Sequence, residues 1–217
     1  MKTLFIESRK KFIESEINYS QLNNLPGKTI SLAATIQYLD LIPKVKTYLE
    51  SINKKVVIKK GAKHHAHILG CNSTALDKTS DTILILADGK FHAMNNAIQL
   101  QRELYIFDTR TIDKISSSEL TKHNQKIIAK QKKFLLSKQV GLIISSKHGQ
   151  HYPKIQFLKA QIQALDKRVY ILEANNINTL ELENFPTIPI FINTACRGLA
   201  RDSNKIINYQ DIQKFLK

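Results

Sequence analysis

Short apolar runs alternate with amphipathic stretches along the first half of the chain. These runs cover residues 29–34, 56–58, 83–86 and 104–107. Because they are apolar on both faces, they predict strands of a parallel sheet that is covered by helices on each side. After the first run, Leu39, Ile42, Val45 and Leu49 recur at intervals of three and four residues, which predicts a helix.

The pattern starts again in the second half. Ser116 to Glu119 form a capping-box signature that opens a long polar helix to about Ser137. We expect the buried stripe of this helix to be Ile127, Ile128, Phe134 and Leu135. Three further runs predict strands at residues 140–144, 169–172 and 188–192. Since Pro189 cannot donate to a ladder, the last strand is expected at a sheet edge or with a late start.

Two more helices complete the predicted pattern. One follows Pro153 and buries Ile155, Leu158, Ile162 and Leu165, and the other closes the chain from Tyr209 to Leu216. Strands and helices that alternate in this way are typical of α/β folds with crossover helices. The sequence therefore predicts two tandem small α/β units, each a parallel sheet in a three-layer, Rossmann-like or flavodoxin-like arrangement. We place them at residues 1–112 and 113–217.

The chain is strongly basic, with 33 lysine and arginine residues against 18 acidic residues and a formal net charge of +15. The basic residues are mostly lysines scattered along the chain, so we do not expect nucleic-acid binding. The positive electrostatic field of the chain would equally well attract an acidic partner protein. No stretch approaches the roughly eighteen apolar residues of a membrane span. Charged residues follow Leu4-Phe5-Ile6 at once, so we expect no signal peptide and a cytoplasmic protein.

Cys71 and Cys196 are the only cysteines in the chain. Each follows, directly or after a short polar stretch, an apolar run predicted as a strand, and α/β folds place their chemistry at strand ends. Thiolates are soft ligands that select iron clusters, zinc or copper, although two alone do not complete a site. Inert core cysteines and a structural disulfide remain alternatives, the disulfide being weaker because the cytosol keeps thiols reduced.

Polar segments follow two other predicted strands. One is Ser145, Ser146, Lys147, His148, Gly149 and Gln150, whose hydroxyl, backbone N–H and amide groups can converge on a ligand at a strand end. Gly149 allows a ligand to approach the backbone closely. The alternative to a ligand site is an ordinary polar turn. The other contains Asp88 and His92, which could bind a ligand. The alternative is that Asp88 is only the N-cap of the following helix. His64, His65 and His67 suggest zinc, but adjacent histidines diverge, so we interpret them as a solvated surface.

Four segments together resemble the ordered signatures of the diphthamide synthase family. They are Leu69-Gly70-Cys71-Asn72, Ala87-Asp88-Gly89-Lys90-Phe91-His92, Ile144-Ser145-Ser146-Lys147-His148-Gly149-Gln150 and Asn193-Thr194-Ala195-Cys196. The family enzyme attaches a 3-amino-3-carboxypropyl group to a histidine of translation elongation factor 2, the first step of diphthamide biosynthesis. The resemblance covers essentially the whole chain.

The resemblance implies a three-domain transferase in which one cysteine from each α/β domain ligates a central 4Fe-4S cluster. This chain resembles the second domain, with Cys71, and the third, with Cys196, so a separate chain is expected to supply the first domain and its cysteine. A dimeric assembly is also expected. In the family, a reduced cluster cleaves S-adenosylmethionine, releasing methylthioadenosine and the radical that modifies the histidine. The implied residues for S-adenosylmethionine are Ser145, Ser146, Lys147, Gly149, Gln150, Asp88 and His92.

The chain departs from the family pattern after Cys196. The family usually places proline and then arginine there, whereas Arg197 and Gly198 follow here. The arginine is therefore shifted by one position. Three functional classes stay open: a catalytic half-enzyme, a non-catalytic partner of a catalytic homologue, and a basic α/β binding protein whose cysteines lie in the core.

Overall fold

The computed structural model describes residues 4, 6–201 and 203–216. The chain divides into two compact units, residues 1–121 and 122–217. Both contain a sheet and helices, so the predicted α/β class is confirmed. None of the helices in the described part of the chain is long and apolar enough to cross a membrane.

The first unit contains a five-stranded mixed sheet with the order β2-β1-β3-β4-β5. Its strands are β1 (Thr29–Ala34), β2 (Lys55–Val57), β3 (Thr82–Leu86), β4 (Leu104–Phe107) and β5 (Ile112–Ile115), and its helices are α1 (Ile42–Ser51) and α2 (Phe91–Leu100). Short 3₁₀ segments lie at Glu14–Glu16, Tyr19–Asn24 and Ile36–Leu41. Strands β1 to β4 pair with one another in parallel, and β5 runs antiparallel to β4.

Core residues cover both faces of this sheet, as the apolar runs predict. Leu32 and Leu84 belong to one hydrophobic cluster with residues of α1, whereas Ile83 and Ile85 belong to a second cluster with residues of α2. Successive side chains of a strand point to opposite faces, so a strand buried on both faces is a nearly continuous apolar run. The predicted strand at Thr29–Ala34 is therefore confirmed at both ends.

The second unit contains a four-stranded parallel sheet with the order β7-β6-β8-β9. Its strands are β6 (Gln139–Ser145), β7 (Arg168–Ala174), β8 (Ile190–Asn193) and β9 (Ile206–Asn208). Helix α3 (Ser117–Leu136) begins in the first unit and ends in the second. The other helices of the second unit are α4 (Ile155–Gln163) and α5 (Tyr209–Ile212), with 3₁₀ segments at Thr179–Asn184, Arg197–Arg201 and Gln213–Phe215.

The capping box that opens α3 is confirmed by its hydrogen bonds. The Ser116 amide donates to Glu119 Oε2 at 2.9 Å, and the Glu119 amide donates to Ser116 Oγ at 3.3 Å. The predicted buried stripe of α3 is only partly right. Phe134 is fully buried and Ile127 is partly buried, but Ile128 is 51% and Leu135 is 47% exposed.

A lysine that the predicted stripe did not include is buried on α3. Lys130 is buried, and its ammonium group donates to the carbonyl oxygen of Ala200. A long side chain with a polar end can be buried in this way because its hydrogen bond replaces the one it made to water. The apolar spacing of α3 alone did not indicate this.

Two strands were not predicted from the sequence. β5 contains Asp113 and Lys114 between two isoleucines, and β9 is only three residues long. The predicted late start of the strand after Pro189 is confirmed, because β8 begins at Ile190. β8 is not an edge strand, however, since it lies between β6 and β9.

Candidate functional site

Cys71 lies at the tip of a tight turn in the first unit. Leu69 and Asn72 form an antiparallel bridge in which each amide donates to the other residue's carbonyl oxygen at 3.2 Å. The segment leading into the turn continues from the sheet, since the Ile68 amide donates to the Ala34 carbonyl at the end of β1 at 2.9 Å. Cys71 is free and exposed, so the inert core cysteine is wrong for this residue.

Side-chain amides of α2 hold the backbone of this turn. Asn96 Nδ2 donates to the Leu69 carbonyl at 3.0 Å, and Gln99 Nε2 donates to the Gly70 carbonyl at 2.9 Å. A Cβ at Gly70 would lie 3.0 Å from Asn95 Nδ2, so the turn packs closely on the helix. Neither Asn96 nor Gln99 was identified from the sequence, because an amide in a helix carries no local signal of the carbonyl that it binds.

Asp88 follows β3 and faces a tyrosine rather than a helix end. The Tyr38 hydroxyl donates to Asp88 Oδ1, and Lys10 Nζ lies 3.5 Å from the same oxygen. Burial and the neighbouring carboxylate raise the pKa of Tyr38 well above its usual value. Asp88 is therefore not an N-cap. The residue before α2 is Lys90, and no side chain caps this helix.

The Asp88 loop and the Cys71 turn both lie at the carboxyl edge of the first sheet. β1 and β3 are parallel neighbours with Ala34 opposite Leu86, and the Thr35 amide donates to the Leu86 carbonyl at 3.0 Å. Because parallel strands end at one edge, the segments that follow them share it. His92 lies in the first turn of α2, and its ring packs edge-on against Phe91 at a centroid distance of 5.3 Å.

The three histidines before Cys71 do not behave alike. His67 is 5% exposed, and neither of its ring nitrogens has a hydrogen-bond partner among the described residues. Burial lowers its pKa below the usual 6.5, so the ring is neutral. His64 instead contacts Glu7 through Nε2 at 2.7 Å, in an ion-pair cluster that also includes Lys63. His67 thus departs from the predicted solvated surface.

The segment of residues 145–150 lies at the carboxyl edge of the second sheet. Ser145 is the buried last residue of β6, and its hydroxyl oxygen accepts a hydrogen bond from the Lys147 amide at 3.1 Å. Ser146, Lys147 and Gly149 are exposed. Gly149 has a φ of +80°, and a Cβ added to it would meet no atom within 4 Å. The Gln150 amide closes a turn onto the Lys147 carbonyl at 3.0 Å.

Cys196 lies at the same edge of the second sheet, after β8. β6 and β8 are parallel with Ile143 opposite Asn193, and the Thr194 hydroxyl donates to the Ile143 carbonyl at 2.8 Å. The structure therefore brings the 145–150 segment and Cys196 to one edge of the second sheet. Cys196 is free and partly exposed, so the inert core cysteine is also wrong here.

Asn193 fixes the segment that carries Cys196. It is 1% exposed, and its Nδ2 donates to the Cys196 carbonyl at 2.9 Å and to Asn208 Oδ1 at 2.8 Å. Its Oδ1 accepts from the Ala195 amide at 3.0 Å. The shifted Arg197 begins a 3₁₀ segment, and its carbonyl accepts from Asn208 Nδ2 at 3.3 Å.

The two thiols are the donor type that an iron–sulfur cluster needs, but they are not a complete ligand set. Among residues 4, 6–201 and 203–216, no group of three or more His, Cys, Asp or Glu side chains is arranged to hold a metal ion.

Comparison with known proteins assigns the chain to a family. The family model described as "Putative diphthamide synthesis protein" matches residues 1–210. The chain belongs to the diphthamide synthesis family. The predicted resemblance is thereby confirmed.

Relatives in this family include archaeal, animal and fungal proteins. The 2-(3-amino-3-carboxypropyl)histidine synthase of Methanocaldococcus jannaschii is 28% identical over 210 residues, which cover 90% of this chain and 53% of that protein. Subunit 1 of the corresponding synthase of Homo sapiens is 24% identical, covering 82% of this chain and 41% of that protein. The chain thus spans about half the length of the curated relatives it matches.

Solved structures show the same fold. The crystal structure of Dph2 from Pyrococcus horikoshii has a TM-score of 0.78 and 22% identity, and the match covers 91% of this chain and 59% of that chain. A crystal structure of the same protein with a 4Fe-4S cluster has a TM-score of 0.77. At this identity the likeness establishes the fold of the family member described here and nothing more.

Proposed function

We propose that this chain is the cluster- and substrate-binding part of a 2-(3-amino-3-carboxypropyl)histidine synthase. It would act with a partner chain that supplies the first domain and a third cysteine. The observation that carries the proposal is the state of the two cysteines. Both thiols are free and solvent-accessible, and each lies in a segment at the carboxyl edge of the sheet of its own unit. The chain that carries them belongs to the diphthamide synthesis family. A protein that used its cysteines only for packing would bury them.

Cys71 and Cys196 are proposed as two of the three ligands of a 4Fe-4S cluster. The donor chemistry fits, because thiolates are the usual ligands of such clusters and the Pyrococcus Dph2 is known with one. A bound cluster would supply the electron for cleavage of S-adenosylmethionine between the sulfur and the γ-carbon, with methylthioadenosine as the leaving group. The 3-amino-3-carboxypropyl group would replace the hydrogen on a histidine carbon of elongation factor 2, with the proton going to solvent and one electron returning to the cluster.

The residues of this chain would bind and orient S-adenosylmethionine. Lys147 is exposed and suits the substrate carboxylate, while Gly149 leaves open space that a substrate can approach. Asp88 suits the substrate amine, because its carboxylate is 69% exposed even though Tyr38 and Lys10 lie next to Oδ1. Ser145, Ser146, Gln150 and His92 complete the proposed set. We further propose that the two halves, 1–112 and 113–217, correspond to the family's second and third domains.

The electrostatic field of the chain suits a protein substrate. A formal net charge of +15 attracts acidic surfaces over distances of about one Debye length, roughly 8 Å at physiological salt. We propose that this field helps dock elongation factor 2 and that the complete assembly is dimeric and cytoplasmic.

Anaerobic reconstitution with iron and sulfide tests the proposal. We expect the chain mixed with its partner chain to turn brown and to release methylthioadenosine from S-adenosylmethionine when a reductant is added. Cys71→Ser and Cys196→Ser should each lose cluster absorption, whereas His65→Ala should keep it. A mixture that stays colourless would refute the cluster role of this chain.

A non-catalytic accessory role is the second candidate. It is favoured by the arginine after Cys196, since Arg197 stands one position away from its place in the family pattern. An accessory subunit would retain iron in the mixture without releasing methylthioadenosine. It would also raise the activity of a complete homologue added to the same reaction.

A further inference from the structure

The turn that carries Cys71 is exposed, yet it is hydrogen-bonded to a buried amide. Leu69 is 40% exposed and Cys71 is exposed, whereas Asn96 is fully buried. Asn96 Nδ2 donates to the Leu69 carbonyl and also, at 2.8 Å, to the His92 carbonyl one helical turn earlier. One side chain therefore connects the α2 backbone to the turn.

Gln99 acts on the peptide bond next to Cys71. Its Nε2 donates at 2.9 Å to the Gly70 carbonyl, which shares a planar peptide unit with the Cys71 nitrogen. Fixing this oxygen fixes the plane from which the Cys71 Cα–Cβ bond projects. A Cβ placed on Gly70 would lie 3.6 Å from the Phe91 ring, so a larger side chain there would press on α2.

Helix stability alone does not explain why residue 96 of α2 is an asparagine. Asparagine is a poorer helix former than alanine. The Asn96 Oδ1 is also buried with no hydrogen-bond partner among the described residues, which is unfavourable. Alanine would remove both disadvantages. What asparagine adds at this position is the pair of donated hydrogen bonds, one of which ends on the turn.

We propose that Asn96 and Gln99 are positioning residues that hold the Cys71 thiol in the direction required of a cluster ligand. This role rests on the proposed function. Asn96 and Gln99 are not among the residues proposed above to bind the cluster or S-adenosylmethionine. Groups that orient a metal ligand reduce the reorganisation needed on binding, which raises the affinity for the metal.

Three variants test the inference. Asn96→Ala and Gln99→Ala each remove amide donors to the turn. Gln101→Ala is the matched control, since the Gln101 side-chain amide donates to a backbone carbonyl outside the turn, that of Ile98 at 2.7 Å. Hydrogen–deuterium exchange of the peptide spanning residues 69–74 is measured in the cluster-free chain. We expect exchange to be about fivefold faster in both test variants, as for one lost hydrogen bond, and unchanged in the control.

A second measurement separates positioning from simple structural support. The reconstituted complex is challenged with an iron chelator, and thermal melting of the cluster-free chain is recorded in parallel. We expect iron loss to be about tenfold faster in Asn96→Ala and Gln99→Ala, with melting temperatures close to that of the wild type.

Two results would overturn the inference. One is unchanged exchange in both test variants, and the other is faster exchange with wild-type iron retention, which would limit the amides to supporting the fold. If the wild-type complex binds no iron, the proposed function fails instead, and the exchange rates alone decide whether the amides hold the turn.

Discussion

Asn193→Ala is the sharpest single test of how the Cys196 segment is built. The substitution removes two donated hydrogen bonds, to the Cys196 carbonyl and to Asn208 Oδ1, and one accepted from the Ala195 amide. At about 1 kcal/mol for each bond, we expect a loss of roughly 3 kcal/mol in the free energy of unfolding. The site is 1% exposed, so water cannot replace the lost partners well.

The measurement is urea denaturation of the cluster-free chain, read with a probe in the second unit. Asn178→Ala is the matched control, because Asn178 is exposed and its Oδ1 accepts a hydrogen bond from the Leu180 amide at 3.1 Å as the N-cap of a 3₁₀ segment. We expect the control to lose about 1 kcal/mol or less, as for one N-cap. A loss below about 1 kcal/mol for Asn193→Ala would show that the buried amide does not hold this segment.

Three further predictions follow from the packing and charges of the two units. Gly141→Ala places a Cβ 2.2 Å from the Phe191 ring, so we expect about 1–3 kcal/mol of destabilisation in urea, partly restored by adding Phe191→Leu; no loss would refute the contact. His67 is neutral when folded because burial lowers its pKa below 6.5, and the unfolded chain therefore binds the extra proton as pH falls. Stability should fall below about pH 6.5 by up to about 1.4 kcal/mol per pH unit, and His67→Leu should reduce that slope, whereas an unchanged slope would contradict the assignment to His67. Tyr38→Phe keeps the buried ring but removes the hydroxyl that donates to Asp88, so we expect a loss of about 1 kcal/mol in the free energy of unfolding. We also expect weaker binding of S-adenosylmethionine by calorimetry. An unchanged affinity would show that Tyr38 does not orient Asp88 for binding.

The strands could be predicted because their signal is local. Thr29–Ala34 and Leu104–Phe107 were found with both ends correct, since continuous apolar runs are required of strands buried on both faces. β5 was not predicted, because it is not a continuous apolar run. Its Asp113 and Lys114 are exposed, so the strand is identified only by its antiparallel pairing with β4.

The sequence indicated segments of the candidate site, but not the contacts of their residues. The parallel pairing of β6 and β8 brings the 145–150 segment and Cys196 to one sheet edge. The partner of Asp88 could not be found in this way, because Tyr38 lies fifty residues earlier in the chain. Whether Cys71 and Cys196 serve one cluster stays a prediction.

The sequence by itself determined the α/β class, the capping box of α3 and the motifs that mark the family, because each depends on residues close together in the chain. Only the tertiary structure decided the strand order, the burial of Lys130 and the amides that hold the two cysteine segments. A hydrogen bond between distant residues depends on which elements the fold brings together, and no local spacing encodes that choice.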